Sequence, residues 1–185
     1  IFDEFTTAFV RRAASTVVGN GMISGVEMGP LANERRILAL SALIENAKNC
    51  GARIATGGSP NGHKGYFFKP TVLTNVPANA KIMQEEPFGP IAVINPVSSL
   101  EDAITQVNSI PYGLAGYAFT NRADYIDRMI DEVEVGNLSI NTLEASMPET
   151  PFGGVKSSGY GREGGSEGLG NYMVIKNVWH SAKVN

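Results

Sequence analysis

Apolar residues recur with a helical period along the first fifty positions: Phe2, Phe5, Phe9 and Ala13 make one stripe, and Ile37, Leu40, Ile44 and Ala47 make another. This spacing predicts two helices packed on a core. The segment through Gly19-Asn20-Gly21 and Gly25 to Pro30 connects them, and Cys50-Gly51 closes the second as a C-terminal glycine does. From Ala52 to Val76 the pattern turns extended. Arg53-Ile54-Ala55 and Tyr66 to Leu73 read as a strand pair, separated by a glycine, proline and asparagine turn at Gly57 to Gly65.

Further along, Ile91 to Val97 is a short apolar run. Ser98 and Ser99 offer caps to a helix through Val107, with Glu101 and Asp102 at its start. Leu114 to Phe119 is again extended. Asn121 is placed to cap a helix with an inward face of Tyr125, Ile126, Met129 and Ile130, and Val135 to Ile140 is extended once more. The order strand, helix, strand, helix, strand calls for a parallel sheet with right-handed crossovers. The predicted class is α/β. Leu143 to Gly170 is rich in glycine, serine and proline, after which only Tyr172 to Trp179 reads as a strand.

Composition narrows the function classes. With 185 residues, 43% of them apolar, the chain suffices for one good-sized core. Its 15 basic and 18 acidic residues give a net charge of −3 without a long run of either sign, so no footprint for nucleic acid or an anionic membrane is present. One cysteine and two histidines, His63 and His180, exclude an internal disulfide and any zinc-ligand spacing. No metal site is expected. The lone thiol fits a reducing compartment such as the cytoplasm, and the apolar stretches are far short of a membrane span. The chain opens at Ile1 inside a helical pattern, so we expect it to be a piece of something larger.

Two motifs have ordinary readings. Gly159-Tyr160-Gly161-Arg162-Glu163-Gly164 satisfies the dinucleotide fingerprint, but no strand precedes it and no apolar helical period follows, so its glycines read as turn formers. Val155 stands before Lys156-Ser157 where a phosphate loop requires glycine. Cys50 is the only thiol, but at a helix C-terminus the dipole disfavours a thiolate and neither histidine is near in sequence, so it reads as structural.

Three spaced motifs carry a resemblance. Gln84-Glu85-Glu86-Pro87-Phe88-Gly89-Pro90-Ile91, then Pro111-Tyr112-Gly113-Leu114, then Pro151-Phe152-Gly153-Gly154-Val155-Lys156-Ser157-Ser158-Gly159 with Gly161-Arg162-Glu163 resemble the NAD(P)-dependent aldehyde dehydrogenase superfamily. The resemblance covers the whole chain, and Ile1 to Phe5 looks like the segment shortly after that family's catalytic cysteine. It implies a parallel-sheet catalytic domain over residues 1–165 and an oligomerisation tail over 166–185 whose strand joins a neighbouring subunit. A homodimer or tetramer follows for the parent.

In that family the nucleophilic cysteine, the general-base glutamate and the oxyanion asparagine lie upstream, so the resemblance implies no catalytic residue here and no activity for this chain alone. The parent would attack an aldehyde with a thiolate, pass hydride to NAD or NADP, and hydrolyse the thioester. By position, Glu86 matches the glutamate holding the nicotinamide ribose hydroxyls and Phe88 an aromatic beside the nicotinamide. Arg36 falls near positions where relatives contact the ribose, and a solvated helix face accounts for it equally. The loop leaving the strand at Asn141 looks like the substrate-access loop, lined by Leu143, Glu144, Ser146 and Phe152, for which ordinary loop packing is the competing reading. The run from Ser139 to Gly154 looks most like the succinate-semialdehyde dehydrogenase branch. An acylating semialdehyde dehydrogenase, passing the acyl group to coenzyme A, and a non-catalytic assembly module of the same fold are the alternatives.

Overall fold

The computed structural model describes residues 1–182, which form two compact units meeting in sequence at Pro96 and Val97. In the first unit, α1 spans Phe2–Ser15 and α2 spans Glu34–Asn49. The extended Asn33 caps α2 by accepting the Arg36 N–H, and Cys50 is its C-cap residue. Of the predicted apolar face of α2, Leu40, Ile44 and Ala47 are buried and Ile37 is half-buried, and Leu43, outside that stripe, is buried as well. α1 differs from expectation. None of its residues is buried, and Phe5 and Phe9 stack on each other at 5.8 Å between ring centroids while remaining exposed, because no described element covers that face.

Three strands complete the unit. β1 (Arg53–Thr56) pairs antiparallel with β2 (Thr71–Thr74), as the alternation predicted, and β2 pairs parallel with β3 (Ile91–Ile94). All four residues of central β2 are buried. The second strand begins at Thr71 and not at Tyr66, since Pro70 has no N–H to give a ladder and only the Pro60–Phe68 bridge precedes it. Leu40, Ile44 and Phe68 form one core cluster, and Ala47, Ala52, Leu73, Val76, Ala80 and Ile82 form another.

The second unit holds α3 (Leu100–Asn108), β4 (Tyr112–Gly113), β5 (Ala115–Ala118), α4 (Ala123–Glu132), β6 (Asn137–Ile140), β7 (Val155–Lys156) and a 3-10 turn at Glu167–Tyr172. β5 and β6 pair parallel across the α4 crossover, and β4 pairs antiparallel with β7. Of the expected parallel run, β3 is paired within the first unit, with β2, and the strand, helix, strand order of β5, α4 and β6 makes a parallel pair within the second. Asn108 clips α3 to the end of α4, donating to the Glu132 carbonyl at 2.7 Å and accepting the Glu134 N–H at 2.9 Å.

Two further expectations are corrected. α4 begins after Arg122, not at Asn121, and without a side-chain cap bond; Arg122 instead pairs with Asp124 and lies 3.9 Å above the Tyr125 ring. On its inward face only Met129 is buried, whereas Ile130 is exposed. No strand forms over Tyr172 to Trp179. From Met173 to Ala182 no regular structure is present, and Tyr172 and Trp179 are 89% and 92% exposed, because no described strand offers that segment a ladder.

Candidate functional site

Glu86 and Phe88 lie on the loop between a short 3-10 turn (Lys81–Met83) and β3, five and three residues ahead of the strand. The Gln84 and Glu85 N–H groups both donate to the Lys81 carbonyl at 2.8 Å, and the Lys81 N–H donates to Asn46 Oδ1 of α2 at 2.9 Å. On the far side the Thr71 N–H donates to the Pro90 carbonyl at 2.8 Å, tying the loop's exit to β2. Gly89 presses directly on the buried Leu40, and a Cβ there would collide with the leucine methyl groups. Any side chain here would displace the loop or Leu40, so Gly89 permits the close approach of this loop to α2.

With the backbone fastened at both ends, the two side chains turn outward. Phe88 is 61% exposed, and the Arg36 guanidinium lies 5.5 Å from its ring centroid. Arg36, Glu86, Phe88, Gly89, Ala32 and Pro87 line an open cleft of about 630 Å³. Among the described residues Glu86 has no hydrogen-bond or ion-pair partner, so its two oxygens face solvent as acceptors. An unengaged carboxylate beside an exposed aromatic face fits a sugar diol attached to a planar heterocycle. The structure thus brings Glu86 and Phe88 together with Arg36, which the resemblance had already set near the ribose; its contact with the Phe88 ring is the part that no spacing rule signalled.

The loop after β6 is held at its root by Asn141, which is in the left-handed region (φ 58°) and exchanges two side-chain bonds of 2.9 Å with the Thr120 backbone. Ser139, buried in β6, donates to the Glu144 carbonyl at 2.7 Å, and the Glu144 N–H donates to Thr142 Oγ1. These bonds fold the loop back on its own strand and leave Leu143, Glu144 and Ser146 exposed. Phe152 is placed differently: half-buried, it exchanges two backbone hydrogen bonds of 2.7 Å with Glu163. Three of the four predicted residues therefore sit on the loop's outer surface and one at its base.

The glycine-rich segment is a turn, as its sequence context predicted. Gly159, Gly161, Gly164 and Gly165 all have positive φ, and no α-helix follows. Lys156 is engaged within the fold: its Nζ pairs with Glu134 and donates to the Asn108 and Ile110 carbonyls. Cys50 is half-buried against the core beside α2, and His63 and His180 are exposed. Among the described residues no group of His, Cys, Asp and Glu is arranged to hold a metal ion, and no helix is long and apolar enough to cross a membrane.

Residues 1–178 match the aldehyde dehydrogenase family. The chain is 46% identical over 176 residues to the 4-(hydroxymethyl)benzenesulfonate dehydrogenase of Comamonas testosteroni, covering 95% of this chain and 36% of that protein. It is 37% identical over 176 residues to the NADP(+) succinate-semialdehyde dehydrogenase of Escherichia coli strain K12, with the same coverage. Among solved structures it is similar to a variant of the betaine aldehyde dehydrogenase of Staphylococcus aureus in complex with NAD+, at 36% identity and a TM-score of 0.89 over 95% of this chain and 36% of that one. The chain thus spans about 36% of the length of the relatives it matches.

Proposed function

This chain belongs to the aldehyde dehydrogenase family, and from that premise we propose that it is the part of an NAD(P)-dependent aldehyde dehydrogenase that holds the nicotinamide ribose and shapes the substrate mouth. The observation that carries the reading is the fastened loop presenting a partnerless Glu86 carboxylate beside the exposed Phe88 ring. Glu86 accepts both ribose hydroxyls, and its charge strengthens those bonds. Phe88, backed by Arg36, supports the nicotinamide. The cofactor supplies a hydride acceptor; this chain's part is to fix its ribose so that the ring stays at one distance from the substrate.

Leu143, Glu144, Ser146 and Phe152 line the substrate-access loop. A Ser146 hydroxyl there meets the far end of a small polar aldehyde, and relatives named for succinate semialdehyde and for a benzenesulfonate share a remote anionic group. An aldehyde bearing such a group, a semialdehyde first, is the proposed substrate class. Residues 1–165 form the catalytic-domain portion and 166–185 the tail that joins subunits into a homodimer or tetramer. The nucleophile, the base and the oxyanion donor lie outside this chain, the 185 residues alone do not oxidise aldehydes, and the enzyme works in the cytoplasm. In the full-length protein Glu86→Gln keeps one acceptor and loses the charge. Hydride transfer is expected to slow about tenfold, the size of a charge-assisted bond, with the unfolding temperature unchanged. An unaltered single-turnover rate of nicotinamide reduction would reject the assignment.

A further inference from the structure

Glu163, Gly164 and Gly165 together hold the base of the loop that carries the proposed substrate mouth. Glu163 exchanges two 2.7 Å backbone bonds with Phe152, and the Gly165 N–H donates to the Pro148 carbonyl at 3.0 Å. Gly164 has φ 68° and lies so close to the Thr150 carbonyl that a Cβ would stand 2.7 Å from it. The residue before them, Arg162, is half-buried, and its Nη1 donates to the Gly154 carbonyl at 3.0 Å and the Gly161 carbonyl at 2.7 Å. Arg162 therefore joins the two segments on the turn side of the Phe152–Glu163 bridge.

A side-chain bond ties this strip to the tail: Asn171 Nδ2, on the 3-10 turn that opens the tail, donates to the Arg162 carbonyl at 2.7 Å. The Gly168 N–H to Gly164 carbonyl bond, 3.0 Å, folds the same turn against the strip. From Tyr172 to Trp179 the apolar side chains are exposed. We infer that Asn171 is a positioning residue, setting the substrate-access loop through Arg162 and Glu163 and so coupling the seating of the tail to the affinity for aldehyde. This rests on the substrate role proposed above for that loop. The link depends on a donor at position 171, since an aspartate there would face the carbonyl with a second acceptor.

The test uses the full-length protein carrying Asn171→Asp, Asn171→Ala and Asn171→Gln. In the first two, the Phe152 and Glu163 amides should exchange hydrogen about fivefold faster, as the loss of one net hydrogen bond implies, while the amides of β5 stay unchanged. The aldehyde KM should rise by a similar factor, about fivefold, with kcat, the NAD(P) KM and the oligomeric mass unaltered. Asn171→Gln, which keeps the donor, restores both readouts. Unchanged exchange at Phe152 and Glu163 in the Asp and Ala variants would overturn the inference, as would loss of oligomeric mass, which would place Asn171 in assembly. Faster exchange with an unchanged aldehyde KM would uphold the link and defeat the substrate role of the loop.

Discussion

Glu86 owes its freedom to its neighbours. The loop is fastened through its ends, by the Lys81 carbonyl, by Asn46 and by the Thr71 N–H, and none of these bonds uses the carboxylate. The tightest of these constraints is steric, the approach of Gly89 to Leu40. Gly89→Ala must displace either the loop or a leucine that is 1% exposed, and overpacking of that kind costs about 1–3 kcal/mol. Denaturant unfolding should register a loss within that range, and an unchanged midpoint would mean that the loop yields freely. The role of Gly89 was hidden in the sequence, where glycine beside proline reads as a turn and nothing says which side chain lies opposite.

At the scale of elements, local signals and local outcomes agree best where a helix carries its own cap. The Ser99 Oγ accepts the Asp102 N–H, and the Asp102 carboxylate accepts from the Ser98 N–H, the Gln106 amide and the Ser98 hydroxyl. Those bonds, the Ser98 N–H foremost, hold the Asp102 pKa below the ordinary carboxylate range. A depressed folded value means that its contribution to stability is present above the unfolded value of about 3.9 and is lost as pH falls through the folded one. Asp102→Asn should remove that part of the acid limb in urea unfolding across pH, and an identical limb in the variant would discard the cap's role. α2 and its buried face, α3 and the β1–β2 pair were likewise legible, since period and capping decide them within a few residues. Sheet membership was not. That β3 pairs with β2 while β5 pairs with β6 depends on partners distant in sequence, which no local period encodes.

For the molecule as a whole, what stands exposed matters as much as what is buried. The unburied face of α1 and the apolar tail past Tyr172 are surfaces that the rest of a larger assembly covers under the proposed function. The strand predicted at Tyr172 to Trp179 is absent because, among the described residues, no strand edge pairs with that segment. Deleting residues 171–185 from the full-length protein should yield monomers or aggregates, and a native mass by light scattering would show the tail to be dispensable for assembly. The candidate site was readable only in part. The residues Glu86 and Phe88 stand out through motif resemblance, while their clustering with Arg36 and the fastening of Phe152 to Glu163 are tertiary facts.

The central claim is that this chain orders cofactor and substrate for chemistry performed by groups outside it. The measurement that tests it most directly is aldehyde-dependent formation of reduced nicotinamide, followed by absorbance, for the full-length protein and for the homogeneous 185-residue chain side by side. The account predicts turnover of a semialdehyde by the full-length protein and none by the chain alone. Turnover by the isolated chain, or none by the full-length protein with any aldehyde and either cofactor, would contradict it.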